Sequence, residues 1–137
     1  MVDREEHIKL SDEFFDKAIE LIQSNRRVDI ALASECLLLS FDPLIEAYLA
    51  YLGKLQIGRR WRFERFKFEV IDQNTYVHDE SERISIWKTI VHVHGIRDLL
   101  IYARDKKLYE IEEAKDIIKE VIENVKICRD ILKDKVL

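Results

Sequence analysis

Four side chains that can bind anions or carry protons, His94, Arg97, Asp98 and Tyr102, fall within a short stretch of one helical pattern. That pattern runs from Ser81, a candidate cap, to about Lys106. On a wheel of about 100° per residue with Ile90 at zero, Ile84, Ile86, Trp87, Ile90 and Val91 form an apolar face between about 320° and 120°. After Gly95 the pattern turns over. His94, Arg97, Asp98 and Tyr102 continue the same face, while Ile96, Leu99, Leu100 and Ala103 move to the opposite side. One reading is a helix that leaves the core and exchanges packing partners near Gly95, with its polar side chains in water. The other is a polar pocket or dimer seam in which Arg97 binds an anion and His94 titrates near neutral pH.

A counterpart lies earlier in the chain. Glu35, Asp42 and Glu46 fall within about 40° of one another if residues 31–52 form one helix, and they are the only charges on an apolar rod. They mark either a narrow solvent-facing stripe or carboxylates turned toward Arg97 and His94, because buried carboxylates need partners. Metal chemistry finds little support. A carboxylate-bridged di-iron bundle uses Glu-x-x-His on two helices, and this sequence has none. His92 and His94, two apart on a helix, point away from each other and cannot chelate one ion. No metal and no cofactor are expected.

The second constellation is compositional. Arg59, Arg60, Arg62, Arg65 and Lys67 carry a local charge of +4 against Glu64, in a chain whose net charge is −4. Trp61, Phe63, Phe66 and Phe68 interleave with them. Cations that neutralise phosphates and aromatics that stack on unpaired bases make a single-stranded RNA or DNA contact. The plainer reading is a loop whose aromatics cap the bundle while its arginines pair with acidic helix faces.

Other chemistries are excluded or weak. There is no GxSxG, Walker loop or GxGxxG, and three glycines leave little from which to build a phosphate-cradling loop. Glu112, Glu113 and Asp116 match half of the acidic signature of all-α NTP pyrophosphohydrolases. The second half is missing, and a solvated acidic first helical turn accounts for them more simply.

The elements that must position these residues are helices. A chain of 137 residues, 47% hydrophobic and 36% charged, fits one domain (1–137) with one core. One proline and three glycines imply long elements with few connections. Helix one is expected over about 11–24, capped by Ser11. The next, VDIALASECLLLSF, is apolar on nearly all sides, as a helix in the middle of a bundle must be. Asp42-Pro43 then either restarts the helix or leaves it continuous with a kink, and Gly53 is a plausible stop. Residues 54–80 are irregular: alternation at Phe66, Phe68 and Val70 supports a strand or small β-hairpin in competition with a short helix. The last segment is the clearest, because Ile111, Ala114, Ile118, Val121, Val125, Cys128 and Leu132 step by alternating threes and fours. The expected fold is all-α, an antiparallel four-helix up-and-down bundle with an elaborated connection between its second and third helices.

Cys36 and Cys128 sit in apolar pattern and read as reduced core thiols. With no apolar stretch near 20 residues and a charged start, MVDREEHIKL, the chain is expected to be soluble and cytoplasmic, with no membrane role. Abundant Lys, Glu and Arg with one Met and three Gln is a thermophile-like balance.

Taken together, ALASECLLLSFDPLIEAYLAYLG, an irregular connection, RDLLIYA and EIEEAKDIIKEVIENVKICRDIL resemble the HEPN superfamily across roughly residues 11–134. That resemblance implies an up-and-down bundle that dimerises. It also implies RNase activity or RNA or nucleotide binding, and in toxin members a nucleotidyltransferase partner. The family's catalytic motif is Arg, four to six residues, then His. Arg97 matches the arginine, but Tyr102, Ala103 and Arg104 stand where the histidine belongs. Tyrosine, with an ordinary pKa near 10, is a poor proton carrier at neutral pH, and His94 lies one turn before Arg97 rather than after it. The candidates for catalysis are thus Arg97, His94 and Tyr102 without the intact motif. The resemblance favours a homodimeric binding-type member over an active nuclease. A helical protein-interaction subunit without a nucleic-acid role is the alternative.

Overall fold

A computed structural model describes residues 3–53, 80–102 and 109–136. Within them run four helices, α1 (Arg4–Leu21), α2 (Arg27–Tyr51), α3 (Glu80–Tyr102) and α4 (Ile111–Val136), and no strand. The connection over 54–79, where strand and helix compete in the sequence, lies outside the described residues. The expected all-α antiparallel bundle is what forms.

The apolar rod lies in the middle. α2 packs against α1, α3 and α4, and Leu37, Phe41, Leu44, Ile45, Tyr48 and Leu49 are almost wholly buried. At about 25 cal/mol per Å² of apolar surface, such an element gains more by burial on all sides than any exposed helix could. α2 runs unbroken through Pro43, so the restart suggested by Asp42-Pro43 does not occur. It stops at Gly53, whose φ of 70° favours glycine and whose N–H donates to the Ala50 carbonyl.

α1 begins two turns earlier than the sequence pattern suggests. Its cap is Asp3, which accepts a hydrogen bond from the Glu6 N–H at 3.2 Å, and Glu5 and Glu6 complement the helix dipole. Ser11 is therefore no cap. It is buried mid-helix, and its hydroxyl donates to the Ser40 carbonyl of α2 at 2.6 Å.

α3 also departs from the wheel. Its buried stripe is Ile86, Thr89, Ile90, Val93 and Ile96, with Leu100 packed against it, and it passes Gly95 without changing sides. Ile84 and Val91, counted on the inner face by type, are exposed. Polar residues held by partners take the inner positions instead: Thr89 accepts from the Cys128 thiol, and Asp98 is buried beside Arg97.

α4 keeps the expected seam. Ala114, Ile118, Val121, Val125, Cys128 and Leu132 are buried, and Lys133 and Lys135 in its last turn oppose the acidic first turn. Glu112, Glu113 and Asp116 lie exposed at its start, as a solvated turn would place them. No helix among the described residues is long and apolar enough to cross a membrane.

Candidate functional site

The start of α4 lies beside the start of α2, where Arg27 Nε donates to the Tyr109 carbonyl, and the second half of α3 packs against the same part of α2. This arrangement brings Arg97 onto the acidic stripe of α2. Its Nη1 donates to Glu35 Oε2 at 3.1 Å, and its Nε donates to Asp98 Oδ1 at 3.0 Å. Its Nη2 lies 2.9 Å from His94 Nε2, and the Tyr102 ring centroid is 5.4 Å from the guanidinium carbon, within cation–π range. Three of the four residues on the α3 line thus surround the fourth.

Both readings of the α2 stripe hold in part. Glu35, Asp42 and Glu46 are each half-buried, so the stripe is neither fully wet nor fully enclosed. Glu35 takes the guanidinium of α3. Glu46 faces α1 instead, with its Oε2 3.6 Å from His7 Nε2, while His7 Nδ1 is 2.7 Å from the Asp3 carbonyl. The Arg97 side chain is 17% exposed, Glu35 29%, Asp98 10% and His94 51%. The cluster is therefore reachable from solvent on the histidine side and closed on the aspartate side.

An arginine can only donate, so the short Arg97–His94 contact fixes the imidazole chemistry. Nε2 must be unprotonated, which puts the ring proton on Nδ1, 3.5 Å from Asp98 Oδ2. Arg97 is thus paired with two carboxylates, Glu35 across the helix interface and Asp98 on its own helix. Apolar side chains edge the cluster: Val28 and Leu32 on α2 and Val91 on α3 are exposed, and Tyr102 is 64% exposed.

A second polar cluster has no signal in the sequence, since its members lie more than 100 positions apart. Arg129 of α4 is buried, donates through Nε to Ser11 Oγ at 3.2 Å and through Nη2 to Asp12 Oδ1, and stacks 4.5 Å from the Phe15 ring centroid. Lys133 Nζ reaches the same Asp12 oxygen at 3.0 Å. Burial alone would push the Asp12 carboxyl up, but Lys133 and Arg129 outweigh it and hold it below its ordinary 3.8. This cluster joins α4, α1 and α2 through the buried Ser11 and Arg129, whose polar groups bond within the fold, so its chemistry is structural.

The remaining candidates separate. Arg59, Arg60, Trp61, Arg62, Phe63, Arg65 and Lys67 lie outside the described residues. His92 is exposed. Both cysteines are free thiols, Cys128 buried and Cys36 half-buried, and burial followed by the nearby Glu35 charge raises the Cys36 pKa despite an opposing pull from Lys17. Among the described residues, no group of three or more His, Cys, Asp or Glu is arranged to hold a metal ion. Comparison of the chain with family models, with curated proteins and with solved structures returned no match.

Proposed function

We propose that this chain is a HEPN-like, self-associating cytoplasmic bundle that binds single-stranded RNA or a nucleotide at Arg97, without the family's Arg-to-His catalytic spacing. The observation that carries the reading is the guanidinium of Arg97, half-buried and braced by Glu35 and Asp98. Three of its five N–H donors meet Asp98, Glu35 and His94, and the other two can meet a phosphate oxygen. The exposed Leu32, Val91 and Tyr102 beside it suit a seam between two copies. The basic aromatic segment Arg59–Phe68 supplies the further phosphate and base contacts.

The test combines sedimentation with titration of a labelled single-stranded oligoribonucleotide at two salt concentrations. Binding that weakens with salt, with Arg97→Ala and with charge reversal at Arg60 and Arg62 supports the reading. No binding at low salt by a chain that still self-associates overturns it. That outcome favours the second reading, a protein-interaction subunit, for which the exposed Val28, Leu32, Val91 and Ile127 speak. Co-purification with a nucleotidyltransferase-type partner is the corresponding check on the family's other association.

A further inference from the structure

We propose that Tyr102 is the base platform of the Arg97 site: a nucleotide unit whose phosphate meets Arg97 lays its unpaired base on the open side of the Tyr102 ring. The inference rests on the proposed binding role of Arg97 and adds to it the chemical class of the ligand, a phosphate that carries a base rather than a bare one.

Tyr102 closes α3 with its ring in water. Among the described residues it is the most exposed large apolar or aromatic side chain, at 64%, and so forgoes the burial from which aromatic rings gain most. One side of the ring is taken, because the Arg97 guanidinium carbon lies over it, 5.4 Å from the centroid. The rest is open. A flat, exposed ring next to a cation suits a planar base attached to a phosphate, and base and phosphate are separated by a single sugar. A cation and a ring in contact can therefore take the two ends of one unit.

Arg97 is held in place beside the ring. Its Nε donates to Asp98 Oδ1 on its own helix and its Nη1 to Glu35 Oε2 on α2, while its Nη2 lies 2.9 Å from His94 Nε2. One N–H on each of Nη1 and Nη2 remains for phosphate oxygens. Two hydrogen bonds from a side chain that is 17% exposed are a weak hold on a hydrated ion, because each replaces a bond to water. Stacking supplies the missing term, about 5- to 150-fold in affinity for each base. Every base has a π-face, so the platform favours large bases over small ones without reading their edges.

The probes are adenosine 5′-monophosphate, ribose 5-phosphate and a single-stranded oligoribonucleotide. Each is titrated into the ¹⁵N-labelled full chain while the resonances of Arg97 Nε–H and of the Tyr102 ring protons are followed. Adenosine monophosphate is expected to shift both and to bind about 5- to 150-fold more tightly than ribose 5-phosphate, which shifts Arg97 alone. Tyr102→Phe keeps that ratio. Tyr102→Ala brings adenosine monophosphate down to the level of the sugar phosphate, whose own affinity does not change. Equal binding of the two ligands by the unaltered chain overturns the platform. So does a Tyr102→Ala variant that weakens both ligands alike, since the ring would then only steady Arg97. A variant that loses self-association with the ratio intact overturns it too, since the ring would then belong to the seam between copies. If the oligoribonucleotide binds through Arg97 and is indifferent to Tyr102→Ala, the binding role of Arg97 stands and the platform falls. If adenosine monophosphate behaves as expected and the oligoribonucleotide does not bind, the platform stands and the RNA reading falls.

Discussion

Ser11 and Ser40, on neighbouring antiparallel helices, are joined by a buried hydrogen bond of 2.6 Å from the Ser11 hydroxyl to the Ser40 carbonyl. That carbonyl lies one turn before Pro43, the residue that cannot donate to Leu39. A side chain of α1 thus anchors the α2 backbone at the residue next to the Leu39 carbonyl, which Pro43 leaves without its helical donor. Ser11 Oγ also accepts from Arg129, so one hydroxyl ties three helices together.

Ser11→Ala removes both bonds and leaves the buried Arg129 Nε–H without that acceptor. The expected loss of stability is about 1–3 kcal/mol, read by urea denaturation, and Ser11→Thr should recover part of it. A variant as stable as the parent would show that the three-helix junction contributes nothing.

Asp12 gives the fold an acid-sensitive element. Its folded pKa lies below the ordinary 3.8, so its contribution is fully present above that value and is lost as pH falls through the lower, folded one. Its side chain is 43% exposed, and solvent screening keeps the contribution to about 1 kcal/mol. Asp12→Asn should therefore lower stability at neutral pH and flatten the stability profile below about pH 4, where the parent curve falls.

Cys36 should alkylate slowly. Burial and the Glu35 charge disfavour its thiolate, the reactive form. Mass-spectrometric labelling with iodoacetamide near neutral pH is expected to modify Cys36 more slowly than a free thiol, and Cys128 only on unfolding. Glu35→Gln should speed Cys36 labelling by removing one cause of the raised pKa; an unchanged rate would assign the protection to burial alone.

Gly95 is a helical glycine at an exposed position, and a Cβ built there meets nothing within 4 Å. Gly95→Ala should stabilise the isolated bundle by about 0.5–1 kcal/mol, measured as a raised denaturation midpoint. If the outer face of α3 is the seam between copies, the same variant should weaken self-association in sedimentation while the fold becomes more stable.

Legibility in the sequence followed how each helix buries itself. α4 was readable residue by residue because its inner stripe, Ile118 to Leu132, is almost wholly apolar and strictly periodic. α2 was readable as central because it is apolar all round. α3 was not, since Thr89 and Asp98 are buried against partners on other turns or helices while Ile84 and Val91 face outward. Counting types rotates such a face away from its true position. The Asp3–Glu6 spacing did carry a cap signal for α1, but the stronger apolar run after Ser11 masked it. For the site, the α3 line and the α2 stripe were both visible, and the contact of Arg97 with Glu35 was open as one of two readings. Which way the stripe faced required the helix packing, and Arg129 with Asp12 left no local trace at all.

The central place of α2 also bears on the order in which the chain can be made safe during synthesis. Of the helices that pack on α2, α1 alone is made before it, and the short turn after Leu21 lets the two meet without waiting for distant residues. The faces that later meet α3 and α4 stay wet until the rest of the chain has been translated. In the nascent chain, then, this apolar rod is the stretch most in need of a chaperone, and the α1 hairpin is its first intramolecular cover.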